Sequence, residues 1–434
     1  MRIGYGSGSV ATGAFGTVPG LMLLPFLTDS LGIAALAAGL IVLLPKAWDV
    51  VLNPIAGRVS DRTVDDRGPR RPWLLRAGVP LAICFALIFA APDMATWAEA
   101  LWVLVFFLAA ASAYAFFQVP YVAMPAEMTT SYDERTRLMT WRVAILAFTI
   151  MLAGATAPVI RDAIDGRNGY RVMGVVMALV IVVGAVASYV GTRGAPVGTV
   201  EPGPGSLRDQ LRIVAEARDF RLLLTTFVVQ ALATGCMLAG VDYLAEDVLG
   251  RKGATTILFV CFVGPALLLT PAWAAIGRRV GKKSGYVASS LVLSLGALLA
   301  ATAQQAPAGL VFAAVALVGV GYAGCQVFPL AMLPDAAAVD ASRTGSTRVG
   351  VYTGVWTAAE TLGLALGPGL FALVLAIGGY RSSTTGDVEQ SDTTLAAITY
   401  DFSVLPALLV VVSLWWLRRY TLDAREVAAA EGTA

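Results

Sequence analysis

Long apolar runs separated by short polar breaks occupy almost the whole chain. A helix that crosses the hydrocarbon core of a bilayer needs about 20 consecutive, mainly apolar residues. Runs of that length predict twelve membrane-spanning helices, numbered spans 1 to 12. Spans 1 to 6 are expected at 9–28, 33–56, 73–92, 100–124, 138–160 and 172–191. Spans 7 to 12 are expected at 221–245, 254–276, 284–303, 309–333, 348–377 and 397–417. The pattern predicts an all-α integral membrane protein.

The composition agrees with this interpretation. Of the 434 residues, 57% are hydrophobic and only 14% are charged, which is too apolar for a soluble globule of this length. The first apolar run has neither a basic segment before it nor a small-residue cleavage site, so we do not interpret it as a removable signal peptide. All four cysteines fall inside predicted spans, and histidine is absent. We therefore expect no disulfide framework and no metal site, and any proton chemistry must use carboxylates.

The distribution of basic residues predicts the orientation in the membrane. Two loops are rich in them: loop 2–3 carries Arg58, Arg62, Arg67, Arg70 and Arg71, and loop 8–9 carries Arg278, Arg279, Lys282 and Lys283. Loops 1–2, 3–4 and 9–10 carry neither lysine nor arginine. Basic loops stay on the cytoplasmic side. We therefore expect a multi-pass protein of the bacterial inner or plasma membrane, with both termini in the cytoplasm.

An internal repeat relates the two parts of the chain. The segment YAFFQVPYVAMPAE begins at Tyr114, and YAGCQVFPLAMLPD begins at Tyr322. In one ungapped register, Tyr114 matches Tyr322, Gln118 matches Gln326, Val119 matches Val327, Met124 matches Met332 and Glu127 matches Asp335. Coincidence between two apolar helices is the alternative, but shared polar and aromatic positions argue against it. The offset maps span 4 onto span 10, which predicts two six-helix halves of the same orientation, the parallel repeat of a major-facilitator transporter.

The predicted halves are residues 1–191 and 220–434. Between them, residues 192–219 are expected to form a cytoplasmic linker with a Gly/Pro-rich start. A short amphipathic helix follows in that linker, with Ser206 as its N-cap and with Leu207, Leu211 and Val214 on one face. In this architecture the substrate is expected near the membrane midplane between the halves.

Three predicted spans contain ionisable residues that cannot easily reach an interface. Lys46 and Asp49 in span 2 lie on one helical face, and Asn53 lies a further turn along it. Arg142 lies in span 5, and Glu360 lies near the middle of span 11. Charges at such depth are costly and usually face a polar interior. The alternatives are a self-neutralising Lys46–Asp49 pair that only packs helices, an Arg142 that extends to lipid phosphate, and a protonated Glu360 that hydrogen-bonds a neighbouring helix.

Charges at the span ends suggest other roles. Asp61, Arg62 and Arg70 are expected to form a cytoplasmic gate. Glu127 and Asp335, the repeat mates after spans 4 and 10, are expected to pair with such arginines in one state of the transport cycle. Three further acids lie near the outer ends of spans 7 and 12, where a solvated mouth is the simpler interpretation: Asp242, Glu246 and Asp401.

The chain resembles the glycoside-pentoside-hexuronide:cation symporter family, whose best-known member is the melibiose permease. The resemblance rests on an ordered set of motifs: YGSGSVATG, LTDSLGI, KAWDVVLNPIAGRVSDRT, GPRRPW, PAEMTTSYDERTRL, MLPDAAAVDASRTG and GVWTAAETLGLALGPGL. The resemblance implies cation-coupled uptake. Carboxylates on span 2 and groups on span 4 would hold the cation, while acids on spans 1 and 4 and an arginine on span 5 would hold the sugar.

Some family positions are kept and others are changed. Asp49 matches the first span 2 carboxylate, Lys46 the basic residue one turn before it, and Arg142 the span 5 arginine. The changed positions are Asn53 for the second carboxylate, Leu52 for a polar residue, Ala115 for a hydroxyl, Gly13 and Gln118 for the two sugar-binding acids, Val122 for an aromatic residue, and Thr361, beside Glu360, for a lysine. Sodium needs several oxygen ligands whereas a proton needs one titratable group, so these changes favour a proton over sodium.

We therefore expect a secondary active transporter that works by alternating access and takes up a small polar solute such as a sugar or glycoside. The expected coupling residues are Asp49, Lys46 and Asn53. The expected substrate contacts are Arg142, Gln118, Glu360, Thr361 and Gly13, and the expected gating residues are Asp61, Arg62, Arg70, Glu127 and Asp335. The alternatives are a proton-coupled exporter of an amphipathic metabolite or drug, and an uncoupled lipid or solute facilitator.

Other classes of function are not expected. The chain has no nucleotide-binding loop and no histidine-based nucleophile arrangement, so no enzyme activity is predicted. Apart from the coupling ion, H⁺ or Na⁺, no cofactor is expected. The expected partners are the solute, the cation and the lipid bilayer. Nucleic acid is not among them, and the protein is expected to be a monomer.

Overall fold

The computed structural model describes the backbone of 1–65, 67–129, 131–164, 166–195, 207–251, 253–344, 349–384, 388–422 and 426, and the side chains of these ranges apart from 50, 126, 132, 133, 136, 207–211, 344, 349 and 350. Helices make up the regular structure of these ranges, which contain no strand. Eleven of the described helices are long and apolar enough to cross a bilayer, and Trp73–Phe89 is a shorter apolar helix at the position of span 3. The predicted all-α membrane fold is confirmed.

Spans 1 to 6 run close to their predicted limits. Span 1 comprises the helices Arg2–Gly6 and Gly8–Pro25 and the π-helical turn Phe26–Ser30. Spans 2 to 6 are formed by Ala35–Asp61, by Trp73–Arg76 with Gly78–Phe89, by Thr96–Ala123, by Tyr132–Asp162 and by Arg167–Gly191. A short helix, Pro125–Met128, follows span 4.

The second set begins after the helix Leu207–Glu216. Spans 7 to 12 are formed by Arg218–Tyr243 with the π-helical turn Leu244–Val248, by Ala254–Val280, Lys282–Ala300, Ala308–Thr344 and Val349–Ile377, and by Asp392–Phe402 with Val404–Arg418. Span 10 continues well beyond its predicted end at 333, through Pro334 and Asp335. The alanine-rich sequence after Pro334 has high helix propensity and prolongs the helix.

Small residues bring the backbones of neighbouring spans into contact. Near the start of span 1, Gly4 touches the backbone of Gly191 at the end of span 6. In the second part of the chain, Gly235 of span 7 lies against Gly367 of span 11. A Cβ atom on any of these glycines would overlap the facing backbone. The close approach that they permit is the usual basis of helix packing in membranes, where lipid tails remove the hydrophobic drive for helices to associate.

The chain divides into two compact units. The first comprises Met1–Gly203 and Leu375–Ser391, and the second comprises Pro204–Val374 and Asp392–Ala434. Within the first unit, Tyr380 donates a hydrogen bond to Asp29 at 2.6 Å, and the Ser383 amide donates to the Thr28 carbonyl at 2.9 Å. The end of span 11 and its connection to span 12 therefore pack with the first unit.

The proposed linker is only partly described. Residues 196–206, including the predicted N-cap Ser206, and the side chains of Leu207 and Leu211 lie outside the described residues. The helix Leu207–Glu216 lies within the predicted linker, and the Val214 side chain is buried. The division at 192–219 stays a prediction.

Candidate functional site

Asp49 is a buried acid in the middle of span 2. Only 3% of the residue is exposed, and its Oδ1 atom accepts no hydrogen bond from the described residues. Lys46, one turn earlier, interacts with it electrostatically without a close ion pair, and the Lys46 Nζ lies 5.5 Å from the centre of the Phe15 ring. The lysine is therefore shared between the acid and an aromatic face. Lys46 and Asp49 thus attract each other without a direct contact, and whether the pair serves transport or only helix packing stays a prediction.

Tyr114 of span 4 connects Asp49 to the predicted substrate residues. Its ring stacks on Phe15 with the ring centres 4.6 Å apart, and its hydroxyl interacts electrostatically with both Asp49 and Arg142. Gln118 lies one turn further along the same span, and its Oε1 has no hydrogen-bond partner among the described residues. Asp49 and Arg142 thus both interact with one tyrosine, which the sequence had identified only as a repeat mate.

A second tyrosine of span 4 holds Arg142. The Arg142 guanidinium interacts electrostatically with the Tyr121 hydroxyl and lies 5.6 Å from the centre of its ring. That hydroxyl donates to the Tyr5 carbonyl at 2.9 Å and lies 3.0 Å from Ser9 Oγ, so span 1 fixes its position. Tyr121 lies two turns after Tyr114 on the same face of span 4. This spacing in the sequence was the signal that could have identified Tyr121 as a second tyrosine of the site.

Apolar packing takes the place of two expected polar groups beside Asp49. Leu52 and Ala56 of span 2 form a buried hydrophobic cluster with Ala115 of span 4, and Phe116 and Val119 pack against it. Leu52 and Ala115 are the two positions at which the family pattern calls for polar side chains. The next residue, Asn53, is half-buried. These changes therefore occur together, as one contact between spans 2 and 4.

Gly13 lies where span 1 meets span 5. A Cβ atom at this position would come within 3.0 Å of Thr149 Cβ and Cγ2, and within 3.4 Å of Leu146. The structure therefore gives Gly13 a role in close helix packing, and its assignment to the substrate site stays a prediction.

The second unit contains a related cluster. Tyr322 of span 10 stacks on Phe262 with the ring centres 4.9 Å apart, accepts a hydrogen bond from Gln326 at 2.6 Å and interacts electrostatically with Glu360. Thr361 donates its hydroxyl to a carbonyl of its own helix, at 2.9 Å. The Tyr–Gln pair of the repeat therefore lies near an acid in both units, on span 2 in the first and on span 11 in the second.

Arg70 joins two of the predicted gating acids in the first unit. Its Nη2 donates to Asp61 at 2.7 Å, its Nη1 donates to the Ala123 carbonyl at 2.9 Å, and its Nε lies 3.1 Å from Glu127 Oε1. Gly68, with φ of 91°, makes the left-handed turn that brings Arg70 back to the span ends. Burial raises the pKa of Glu127 above its ordinary value against the opposing effect of Arg70, and the Asp61 charge adds to the increase.

The remaining gating residues lie apart from this group. Arg62 is exposed. Asp335 pairs with Lys282 of its own unit at 2.6 Å, and its pairing with an arginine of loop 2–3 stays a prediction. Each unit thus has an ion pair after its repeated segment, Arg70–Glu127 in the first and Lys282–Asp335 in the second.

Two acids that were expected at a solvated mouth are buried. Asp242 accepts a hydrogen bond from Thr255 at 2.7 Å and is 2% exposed. Asp401 is also 2% exposed, and neither of its carboxylate oxygens meets a hydrogen-bond partner among the described residues. The expectation was wrong for both, because helices of the second unit pack over these positions. Glu246 is exposed, as expected.

The described residues contain no cluster of three or more His, Cys, Asp or Glu side chains placed to hold a metal ion. The geometry provides buried charge and hydrogen-bonding groups inside membrane-spanning helices, which is typical of transport pathways.

The profile of the family described as MFS/sugar transport protein matches residues 4–424. The chain belongs to this family. The resemblance to glycoside-pentoside-hexuronide:cation symporters is confirmed. The protein is a secondary transporter of the major-facilitator type and not an enzyme.

Two curated relatives and one solved structure illustrate the similarity. The chain is 25% identical to the glucuronide carrier protein homolog of Escherichia coli, with 95% of this chain and 91% of the relative covered. It is 24% identical to the sodium-dependent lysophosphatidylcholine symporter 1-A of Danio rerio, with 94% and 83% covered. The crystal structure of a bacterial homologue of the human lysosomal transporter Spinster matches with a TM-score of 0.70 at 12% identity, with 99% and 96% covered, which shows the fold alone.

Proposed function

We propose that this transporter couples uptake of a small hydroxylated solute, such as a sugar or glycoside, to a proton, and that Asp49 is the coupling acid. The observation that carries the proposal is the setting of Asp49, which combines a buried carboxylate with apolar packing at Leu52 and Ala115. A buried carboxylate of this kind can exchange one proton with a water-filled pathway.

The choice of ion follows from the groups around Asp49. Hard cations are bound by several oxygen ligands at once. Beside Asp49, the contact between Leu52 and Ala115 supplies carbon atoms, and Lys46 brings a positive charge that opposes a second cation. Protonation needs no further ligand. Lys46 would lower the cost of the ionised carboxylate after the proton leaves.

Hydrogen-bonding groups near Tyr114 in the first unit suit a solute rich in hydroxyls. Gln118 has an acceptor without a described partner, and Arg142 is held by one face against Tyr121. A planar guanidinium recognises carboxylates in bidentate fashion. Together with the glucuronide carrier relative, this supports a glycoside that bears a carboxylate, a hexuronide, as the first substrate class to test. Glu360 of the second unit stays a predicted substrate contact.

An amphipathic solute is the second candidate. The zebrafish relative is named for a lysophosphatidylcholine, a molecule with a long apolar chain. The apolar cluster of Leu52, Ala56 and Ala115 supports this candidate, because it places carbon atoms near Asp49 at positions where the family pattern has polar groups. Export of an amphiphile by proton antiport would use the same acid.

The test is transport by the purified protein in proteoliposomes. A panel of labelled hexuronides, hexosides, pentosides and lysophospholipids is supplied under an imposed pH, sodium or electrical gradient. We expect a hexuronide or glycoside to accumulate under an inward proton gradient, with an uncoupler abolishing the accumulation and with sodium having no effect. The Asp49→Asn variant should still equilibrate the solute but should lose accumulation at least tenfold.

The control is Asp401→Asn, which removes another buried carboxylate and leaves the Asp49 surroundings unchanged. It should retain accumulation within about twofold. Accumulation that requires sodium would contradict proton coupling. Flux that no gradient affects would favour an uncoupled facilitator, and transport of the lysophospholipids alone would favour the second candidate.

A further inference from the structure

A basic and aromatic groove lies in the second unit, where span 7 begins and span 12 ends. It has a volume of about 470 Å³. The residues that line it are Arg218, Arg221, Leu222, Thr225, Trp415, Trp416 and Arg419. None of the functional residues discussed above belongs to it. Three guanidinium groups, one hydroxyl and no carboxylate face the same space, which favours an anionic ligand.

The two helix ends that form the groove are fixed to each other. Asp219 of span 7 accepts hydrogen bonds from the amide and the hydroxyl of Thr421, both at 3.1 Å. Lys283 at the start of span 9 donates to the carbonyls of Arg418 at 3.1 Å and Tyr420 at 2.6 Å. These bonds satisfy carbonyl groups that a helix C-terminus leaves without partners. The positions of the groove residues are therefore set before any ligand binds.

One arginine is already oriented for binding. The Arg419 guanidinium carbon lies 3.6 Å from the centre of the Trp415 ring, a stacked cation–π contact. Trp416 packs edge-on against Trp415, with the ring centres 5.4 Å apart. Stacking uses the flat face of the guanidinium and leaves its N–H groups, which lie in the plane, free to bind a phosphate in bidentate fashion.

The groove continues into the surface that span 12 presents to lipid. Leu408, Val411, Val412 and Trp415 recur at helical spacing, and each is about half exposed, with values from 46% to 56%. Such a stripe of exposed apolar residues on a membrane helix faces acyl chains. Tryptophan prefers the membrane–water interface, which places the arginines at the level of the lipid head groups. A ligand that carries a phosphate and apolar chains matches both the arginine-lined groove and the apolar stripe of span 12.

We propose that this groove is a binding site for the phosphate head group of an anionic phospholipid. The lipid comes from the leaflet that contacts this end of the helices, which the basic-loop pattern assigns to the cytoplasm. Arg218, Arg221 and Arg419 bind the phosphate, Thr225 donates a further hydrogen bond, and Leu222 and Trp415 contact the glycerol and the upper acyl chain. Basic pockets between membrane helices are known to bind such head groups.

The test measures lipid binding to the intact protein in detergent. Phosphatidylglycerol, phosphatidylcholine and inorganic phosphate are each titrated, with bound lipid counted by native mass spectrometry and the thermal midpoint followed in parallel. Phosphatidylglycerol should bind and raise the midpoint, because a ligand that binds only the folded state stabilises it. The double variant Arg221→Gln/Arg419→Gln should bind phosphatidylglycerol about tenfold more weakly.

The matched control is Arg278→Gln/Arg279→Gln. It removes two exposed arginines from loop 8–9, outside the groove, with the same change of charge. It should change the affinity less than twofold. A third variant, Trp415→Leu, keeps every charge and removes the stacking surface, and it should also weaken binding.

Equal losses in the two double variants would overturn the proposal, because they would indicate non-specific attraction to the basic end of the protein. Equal binding of phosphatidylcholine would overturn it as well. Displacement of phosphatidylglycerol by millimolar inorganic phosphate would identify a site for soluble anions instead. Because loss of transport is not a readout, the proposed coupling by Asp49 can fail without affecting this result.

Discussion

Asp49 and Asp401 are both buried acids, but their neighbours differ. Asp49 has Lys46 one turn away and the hydroxyl of Tyr114 within electrostatic range, whereas Asp401 interacts with the uncharged thiol of Cys236. An ionised carboxylate without a hydrogen bond or a counter-charge is costly inside a membrane protein. A role that depends on charge is therefore supported at Asp49 and not at Asp401.

The first prediction concerns Asp401→Asn. Because an ionised carboxylate at this position would have no described group to compensate it, whereas the amide is neutral and of similar size, the variant should be at least as stable as the parent, with a gain of up to about 1 kcal/mol in unfolding free energy. The thermal midpoint in detergent and the initial rate of solute uptake are the measurements. A destabilised variant that has also lost transport would show instead that the carboxylate is used.

The second prediction concerns Gly13. Alanine at this position places a methyl group 3.0 Å from Thr149, and so overpacks the contact between spans 1 and 5 at a cost of about 1–3 kcal/mol. Gly16, nearly one turn along the same span, has no atom within 4 Å of the corresponding position and provides the control. Thermal unfolding should separate Gly13→Ala from Gly16→Ala. Equal midpoints would show that the Thr149 side chain of span 5 moves aside at little cost. Position 13 would then have room for the acidic side chain that the family pattern has there.

At the level of elements, the two units use short connections to hold span ends together. The first unit has Arg70 between Asp61 and Glu127, and the second has Lys282 on Asp335. A further ion pair joins the starts of spans 1 and 5, where Arg2 donates two hydrogen bonds to Glu134, at 2.8 and 2.7 Å. Of these acids, Glu127 and Glu134 lie outside the segments that are long and apolar enough to cross a bilayer, Thr96–Ala123 and Arg137–Asp162, so their protonation can follow the pH of the solution.

The third prediction uses the opposite pKa shifts of Glu127 and Glu134. Burial raises the pKa of Glu127, so its folded-state value lies above the unfolded value near 4.5, and its contribution to stability decreases as the pH rises through that interval. The hydrogen bonds from Arg2 lower the pKa of Glu134, so its contribution is present above the unfolded value and is lost as the pH falls through the folded one.

The measurement is the thermal midpoint of the parent, Glu127→Gln and Glu134→Gln between pH 4 and pH 7. The difference between the parent and Glu127→Gln should decrease with rising pH, and the difference between the parent and Glu134→Gln should increase. Each variant acts as the control for the other, since both replace a glutamate by its neutral amide. Slopes of the same sign would contradict the arrangement around Arg70.

At the level of the whole molecule, the chain forms two compact units whose boundaries do not follow the sequence order completely. Residues 375–391 connect spans 11 and 12, which otherwise belong to the second unit, and they pack with the first. The hydrogen bond from Tyr380 to Asp29 and the amide bond of Ser383 hold them there. The described part of this connection thus belongs to the first unit.

The fourth prediction follows from this connection. If the chain is produced as two co-expressed fragments, 1–203 and 204–434, the fragments should purify together, because the second carries a segment that packs with the first. Tyr380→Phe should weaken the association of the two fragments by about tenfold or more, and so reduce the recovery of the pair, since a hydrogen bond to a carboxylate is worth about 1.5–3 kcal/mol. Tyr400→Phe, on an exposed tyrosine of span 12, should leave recovery unchanged. If both variants reduce recovery equally, the Tyr380 contact has no special role.

Part of the candidate site could be predicted from one sequence. Asp49, Lys46, Arg142 and Glu360 stand out because charge is rare in apolar runs, and Tyr114 and Tyr322 stand out through the repeat. Arg142 near the Tyr121 hydroxyl, Leu52 against Ala115 and the burial of Asp401 could not be predicted. These contacts depend on how far each helix is rotated and shifted against its neighbours, and that is set by packing across the unit.

The sequence by itself determined the membrane location, the number of spans and the internal repeat. Apolar runs of this length match the thickness of the bilayer, and inside it the backbone N–H and C=O groups must hydrogen-bond within the segment, so each run forms a membrane-spanning helix. The tertiary structure alone decided which of the polar residues meet. Gly4 against Gly191, Lys282 on Asp335, and Arg419 over Trp415 each join parts of the chain through close packing or a directional contact. Hydrophobicity along the chain carries no information on such contacts, because it fixes where a helix lies and not which of its faces meets a neighbour.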